Sequence, residues 1–306
     1  MTLVWLKLPP PIVALVWTVL GIAVFEIGIR SALPRFRLLG HAIAAAVCVR
    51  LFVFDFAAFG DALQITSRTF TILPILAAGY YVWWRSQRDA IPKWERAASR
   101  LYLYTSSALF VVLARFELGP ILAIVAWAVF GVALFDAGRR RDVVDLRWQS
   151  YAIALLSFAF TIQHLGENHT RILPAALVIA ILYAAQFLAP REGAPGVERH
   201  ARAFYSMLAS LLLAILLFYE VSGGVLTMAW AVEALALLGA GFPLRDRLQR
   251  LSGLALFLAC VLKLFLYDLR ELETVNRILS FIVLGLILVG VSWMYTRFRD
   301  SIQRYL

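Results

Sequence analysis

Few ionisable side chains fall inside the apolar runs of this 306-residue sequence, and any chemistry within those runs would have to use them. Glu233 lies ten residues into the run 223–242, near mid-depth, where a charge costs roughly 2.5 to 3.5 kcal/mol to insert. Lys263 lies five residues before the end of the run 251–268, and its long stem can carry the ammonium toward Glu220, Asp268 or Glu233. The segment Arg50-Leu-Phe-Val-Phe-Asp55 parallels Lys263-Leu-Phe-Leu-Tyr-Asp268, and Arg115 with Glu117 supplies a similar pair. Paired, such charges fix the register and orientation of helices, which is the favoured reading. The sharper alternative is a polar site for a proton or an anionic headgroup, centred on Glu233.

Other clusters promise less. The segment His164-Leu-Gly-Glu167-Asn-His169 has metal-ligand types, but its spacing matches neither His-Glu-x-x-His nor His-x-x-Glu-His. Residues at i, i+3 and i+5 do not share one helix face, so a solvated loop is expected there and no metal. Glycine-rich phosphate loops, nucleophile elbows and Cys-x-x-Cys motifs are absent from the sequence, and no cofactor is implied. Cys48 and Cys260 sit in apolar segments and read as small buried hydrophobes. Glu26 and Asp136 each stand nine residues after a tryptophan, close to arginine-rich loops, and are expected to pair with those arginines. Small residues at helical spacing, such as Gly40, Ala44 and Cys48, or Ala255 and Ala259, read as packing surface.

The elements that must position these groups are helices in a membrane. Hydrophobic residues make up 62% of the chain and charged ones 16%, with a mean hydropathy of +0.81, far beyond a soluble domain's composition. Apolar runs of near-spanning length cover 11–29, 38–56, 69–84, 101–117, 120–138, 148–165, 172–189, 203–219, 223–242, 251–268 and 278–296, predicting about eleven transmembrane helices. No small-residue cleavage site follows the first run, so it is expected to be retained.

The net charge of +10 is distributed in short clusters between the runs, a pattern of topology and not of nucleic-acid binding. Alternate loops hold 21 basic residues, including Arg85 to Arg100 and Arg139 to Arg147, against five on the opposite side. The positive-inside rule therefore predicts an external N-terminus and a cytoplasmic C-terminus, with Trp83, Trp84, Trp148, Trp293 and Tyr295 at the inner interface.

Residues 96–138 align without a gap on 199–241, matching Tyr102 with Tyr205, Ser107 with Ser210, Glu117 with Glu220, Trp127 with Trp230 and Gly138 with Gly241. Trp17, Gly28 and Arg37 match Trp127, Gly138 and Arg147 at an offset of 110. This predicts parallel four-helix repeats of about 100 residues: an incomplete first copy of three spans at 1–92, a second at 93–195 and a third at 196–306. Such a repeat differs from the inverted repeats of many secondary transporters.

The segments Trp230-Ala-Val-Glu233, Lys263 to Asp268, Arg277-Ile-Leu-Ser-Phe-Ile and Trp293-Met-Tyr-Thr-Arg297 resemble the C-terminal part of a bacterial predicted-membrane-protein family, domain of unknown function 2339, over about 199 to 300. The resemblance implies an all-α polytopic membrane fold in the bacterial inner membrane and carries no activity. Family members are often longer, so this chain is expected to be a short member or a fragment. Non-enzymatic scaffolding or assembly, with membrane lipids and other membrane proteins as partners, is the expected role, and a carrier or lipid-handling protein using Glu233 is the alternative.

Overall fold

The computed structural model describes residues 10–51, 67–88, 91–167, 172–189, 201–242 and 247–266, with the single positions Ile282 and Val289. The described segments form ten helices and no strand. They are α1 (Pro10–Arg30), α2 (Pro34–Arg50), α3 (Ser67–Arg88), α4 (Lys93–Glu117), α5 (Gly119–Arg140), α6 (Val144–Glu167), α7 (Ile172–Leu188), α8 (Ala201–Glu220), α9 (Gly223–Gly241) and α10 (Arg247–Leu266). Each coincides with one of the first ten apolar runs, while the eleventh, 278–296, lies outside the described residues apart from Ile282 and Val289. Among the described residues, four helices are long and apolar enough to cross a membrane: Ile12–Arg30, Lys93–Glu117, Gly119–Arg140 and Ala201–Glu220. Ile172–Leu188 and Val225–Gly241 are apolar but shorter. Large apolar side chains line the outer surfaces of the described helices, among them Val19, Phe70, Leu101, Leu173, Met228 and Val232, as a lipid solvent requires.

One sequence boundary moves substantially. The run 101–117 is preceded by two polar turns, Lys93 to Arg100, which continue α4 as helix and were expected to be loop. Glu95, Ser99, Leu103 and Ser106 are all buried, so a single stripe at helical spacing joins the polar turns to the apolar ones.

The chain forms two compact units, 1–161 and 162–306, with the division falling within α6. In the first unit α1 pairs with α2 and with α3, α3 with α4, and α4 with α5. Its core gathers Ala14, Val47, Leu51, Ile72, Ile75, Leu109 and Leu113, and a second cluster gathers Trp83, Leu103, Ala123, Trp127, Leu134 and Ile153. In the second unit α7 pairs with α8, α9 with α10, and α8 with both α9 and α10.

The α1–α2 and α5–α6 turns are built alike. Leu33 N–H donates to Gly28 O at 3.1 Å and Val143 N–H to Gly138 O at 2.8 Å, while Ala32 (φ 54°) and Asp142 (φ 52°) take the left-handed conformation that ends a helix in a Schellman turn. The glycine is needed for the next helix to approach. A Cβ on Gly28 would stand 2.6 Å from the Arg37 backbone nitrogen and 2.7 Å from its Cγ; on Gly138 it would stand 3.0 Å from Arg147 Cγ, and on Gly241 2.5 Å from Arg250 Cγ. Arg147 Nε also donates to Gly138 O at 3.3 Å, placing a cation on the negative end of α5. Because the obstruction at Gly28 is backbone, Gly28→Ala is expected to cost about 1 to 2 kcal/mol and to lower the thermal midpoint in detergent.

Two indole bonds also recur. Trp127 Nε1 donates to Val111 O and Trp230 Nε1 to Ala214 O, each at 2.9 Å, tying α5 to α4 and α9 to α8. Tyr80 OH meets Ser107 Oγ at 2.7 Å, and Tyr183 OH meets Ser210 Oγ at 3.0 Å. Each pair of contacts is separated by 103 residues along the chain.

Candidate functional site

The first unit holds a buried polar cluster that the apolar runs did not point to. Glu95, in the first turn of α4 and 2% exposed, accepts from Arg37 Nε on both oxygens, at 3.0 and 3.2 Å. His41, one turn along α2 from Arg37, places Nε2 3.4 Å from Glu95 Oε1 and Nδ1 2.7 Å from Tyr102 OH. The chain Tyr102–His41–Glu95–Arg37 thus links α2 to α4 through charge-assisted bonds away from water, where such bonds are strongest.

Beside this cluster is a cavity of about 50 Å³, lined by His41 and Tyr102 at its polar end and by Trp17, Ala44, Cys48 and Ile75 elsewhere. By volume it could hold a few water molecules. Ala44 and Cys48, expected to be packing surface, line this space, because Gly40 brings α2 close to α1: a Cβ there would lie 2.9 Å from Phe25 Cβ.

The carboxylates Glu26 and Asp136 pair with arginines as expected. Glu26 binds Arg85 Nε at 2.8 Å, Tyr81 OH at 2.7 Å and Arg30 at 3.5 Å, joining α1 to α3. Asp136 binds Arg139 and Arg140 at 3.2 and 2.7 Å on its own helix.

In the second unit, Glu233 is buried on α9, 6% exposed, with no hydrogen-bond partner for either carboxyl oxygen among the described residues. Its burial follows from the close approach of α10, where a Cβ on Gly253 would sit 2.9 Å from Ala234 O. Lys263 does not seal it. The ammonium donates to Thr227 Oγ1 at 2.8 Å, and Thr227 stands six residues before Glu233, about 9 Å along the helix. Glu220 is exposed at the end of α8, and Asp268 lies outside the described residues. Nearby, Gln186 Nε2 donates to Gln249 Oε1 at 3.1 Å, a buried amide pair joining α7 to α10.

The remaining described sequence candidates stand on α2, α4 and α6. Arg50 is buried at the end of α2, and Asp55 lies outside the described residues. Arg115 is exposed and Glu117 half-buried; two apart on one helix, they project from different faces. His164 is buried in the last turn of α6 and not in a solvated loop, because the helix runs on to Glu167, while His169 lies outside the described residues. No group of three metal-ligand side chains occurs among the described residues.

An all-helical chain with spanning apolar helices and buried interhelical ion pairs defines a class, the polytopic helical membrane proteins. More particularly, residues 169–298 match the model of the family described as predicted membrane protein (DUF2339). The match contains Glu220, Glu233, Lys263 and Asp268, and it leaves out the Glu95 cluster. No curated protein and no solved structure matches the chain.

Proposed function

We propose that the protein is a non-enzymatic scaffold of the bacterial inner membrane, with eleven spans in parallel four-helix repeats, its N-terminus outside and its C-terminus in the cytoplasm. The observation that carries the scaffold reading is the use made of buried charge in the first unit. Arg37 and Glu95 join α2 to α4, and Glu26 with Arg85 joins α1 to α3, so these ions serve helix placement. The repeat is supported by the tryptophan and tyrosine bonds that recur at 103 residues and by the turns that recur at 110. The orientation is supported by the alternation of arginine-rich loops.

Glu233 favours a second reading, a carrier or lipid-handling protein, because a buried carboxyl without a donor among the described residues suits a group that takes up a proton or a ligand. Proteoliposomes holding a pH-sensitive dye separate the two. Under an inside-negative potential, the scaffold gives the acidification rate of protein-free vesicles. An added rate abolished by Glu233→Gln would replace the scaffold with the carrier.

Orientation has its own test. In a background lacking Cys48 and Cys260, Gly166→Cys is expected to label from outside and Ala194→Cys only after the cytoplasmic face is opened; the reverse pattern would invert the topology. A side chain at Gly166 meets nothing within 4 Å, so that variant leaves the fold intact.

A further inference from the structure

The first unit carries an open groove of about 1170 Å³ between the second half of α3 and the α5–α6 turn, with Arg100 of α4 on its wall. Its chemistry is mixed in a particular way. Tyr80, Tyr81, Trp83 and Trp84 supply an aromatic side, and Arg88, Arg100 and Arg141 stand against Asp142 and Asp145.

The two aspartates are already engaged. Asp145 takes Arg100 at 3.3 Å and Tyr104 OH at 3.2 Å, and Asp142 takes Arg147. That leaves Arg88 and Arg141 facing the groove outside any ion pair among the described residues. Arg88 is held in place: its guanidinium carbon lies 3.8 Å over the Trp84 ring, a cation–π contact that orients the fork without neutralising it. Trp84 in turn packs against Tyr81 at 6.1 Å, and Tyr81 is fixed by Glu26. Two uncommitted arginines beside a rigid aromatic wall, at helix ends where apolar spans give way to polar turns, complement a phosphate attached to an apolar body.

We infer that this groove binds an anionic glycerophospholipid, its phosphate between Arg88 and Arg141 and its glycerol and first methylenes along Tyr81 and Trp84. The volume exceeds what a headgroup alone would fill, and the aromatic side has no use for a free ion. The inference depends on the membrane reading of the chain, and on neither its orientation nor its scaffold role.

Native mass spectrometry of the full chain in neutral detergent, titrated with phosphatidylglycerol or phosphatidylcholine of identical acyl chains, tests it. The wild type is expected to prefer phosphatidylglycerol, and each arginine near an anionic surface contributes about a five-fold factor, so Arg88→Gln with Arg141→Gln should lose roughly 30-fold. Arg88→Lys with Arg141→Lys keeps the charge and should keep most of the preference, which separates a lost site from a lost fold. Arg35→Gln with Arg115→Gln removes equal charge outside the groove and should leave the preference unchanged. Equal binding of the two lipids, or equal losses in the two glutamine pairs, would overturn the site. Displacement by inorganic phosphate at the lipid's own concentration would overturn the lipid as its occupant.

Discussion

Arg37→Ala is expected to destabilise the first unit by about 3 to 5 kcal/mol, and Glu95→Ala by distinctly less. Both substitutions break the same pair of bonds, at 3.0 and 3.2 Å, but they strand different groups. Loss of Arg37 leaves a 2% exposed carboxylate whose short side chain cannot reach water, with His41 at 3.4 Å as its remaining partner. Loss of Glu95 leaves an arginine that can swing its long stem toward the headgroups beyond the start of α2. The asymmetry is the diagnostic part: a bond valued only for its hydrogen bonds would give equal losses. Replacing both residues together, as Arg37→Met with Glu95→Leu, should recover most of the stability, since a hydrophobic pair of similar volume avoids both desolvation costs. Thermal unfolding in mild detergent reads all three, and a Glu95→Ala loss equal to or larger than that of Arg37→Ala would show that Arg37 has no route to the interface.

The scale of that effect bears on what the chain discloses before it is folded. Apolar runs place the first ten helices well, because in lipid every backbone polar group must be satisfied within its own segment and only a continuous helix does so. The matched tryptophans and glycines fall on real contacts: Trp127 and Trp230 reach the carbonyls of Val111 and Ala214, and Gly28 and Gly138 admit Arg37 and Arg147.

Glu95 stayed hidden because hydropathy judges it by its neighbours. Lys93, Arg96 and Arg100 make its surroundings read as an inner loop, and Arg37 reads as one more positive-inside arginine. A helical stripe running Glu95, Ser99, Leu103, Ser106 was present as a signal: small polar and apolar residues on one face, continuing upstream of the apolar run. The Lys263 contact was not legible at all. Which of Thr227 and Glu233 a snorkelling ammonium meets depends on how α10 is rotated against α9, and packing at Gly253 sets that rotation.

The same rotation leaves Glu233 as a cost within α9, so Glu233→Leu is expected to stabilise the second unit by about 2 to 3 kcal/mol. The carboxyl is desolvated and receives no hydrogen bond among the described residues, whereas leucine of similar length would fill the space beside Ala234 with apolar contacts. Glu233→Gln should gain far less, because an amide left there still carries buried polar atoms without partners. Had Glu233 and Lys263 formed the ion pair that their positions in the sequence invited, the leucine variant would instead strand an ammonium and lose stability. Unfolding in a graded detergent mixture therefore distinguishes a paired carboxylate from an unpaired one by the sign of a single change. A gain in stability says that the acid is retained at a cost, and a residue retained at a cost in the middle of a membrane is where a proton- or ligand-dependent activity should be sought. A loss would return Glu233 to the helix-placing role that Glu95 has in the first unit, and with it the carrier reading would lose its support.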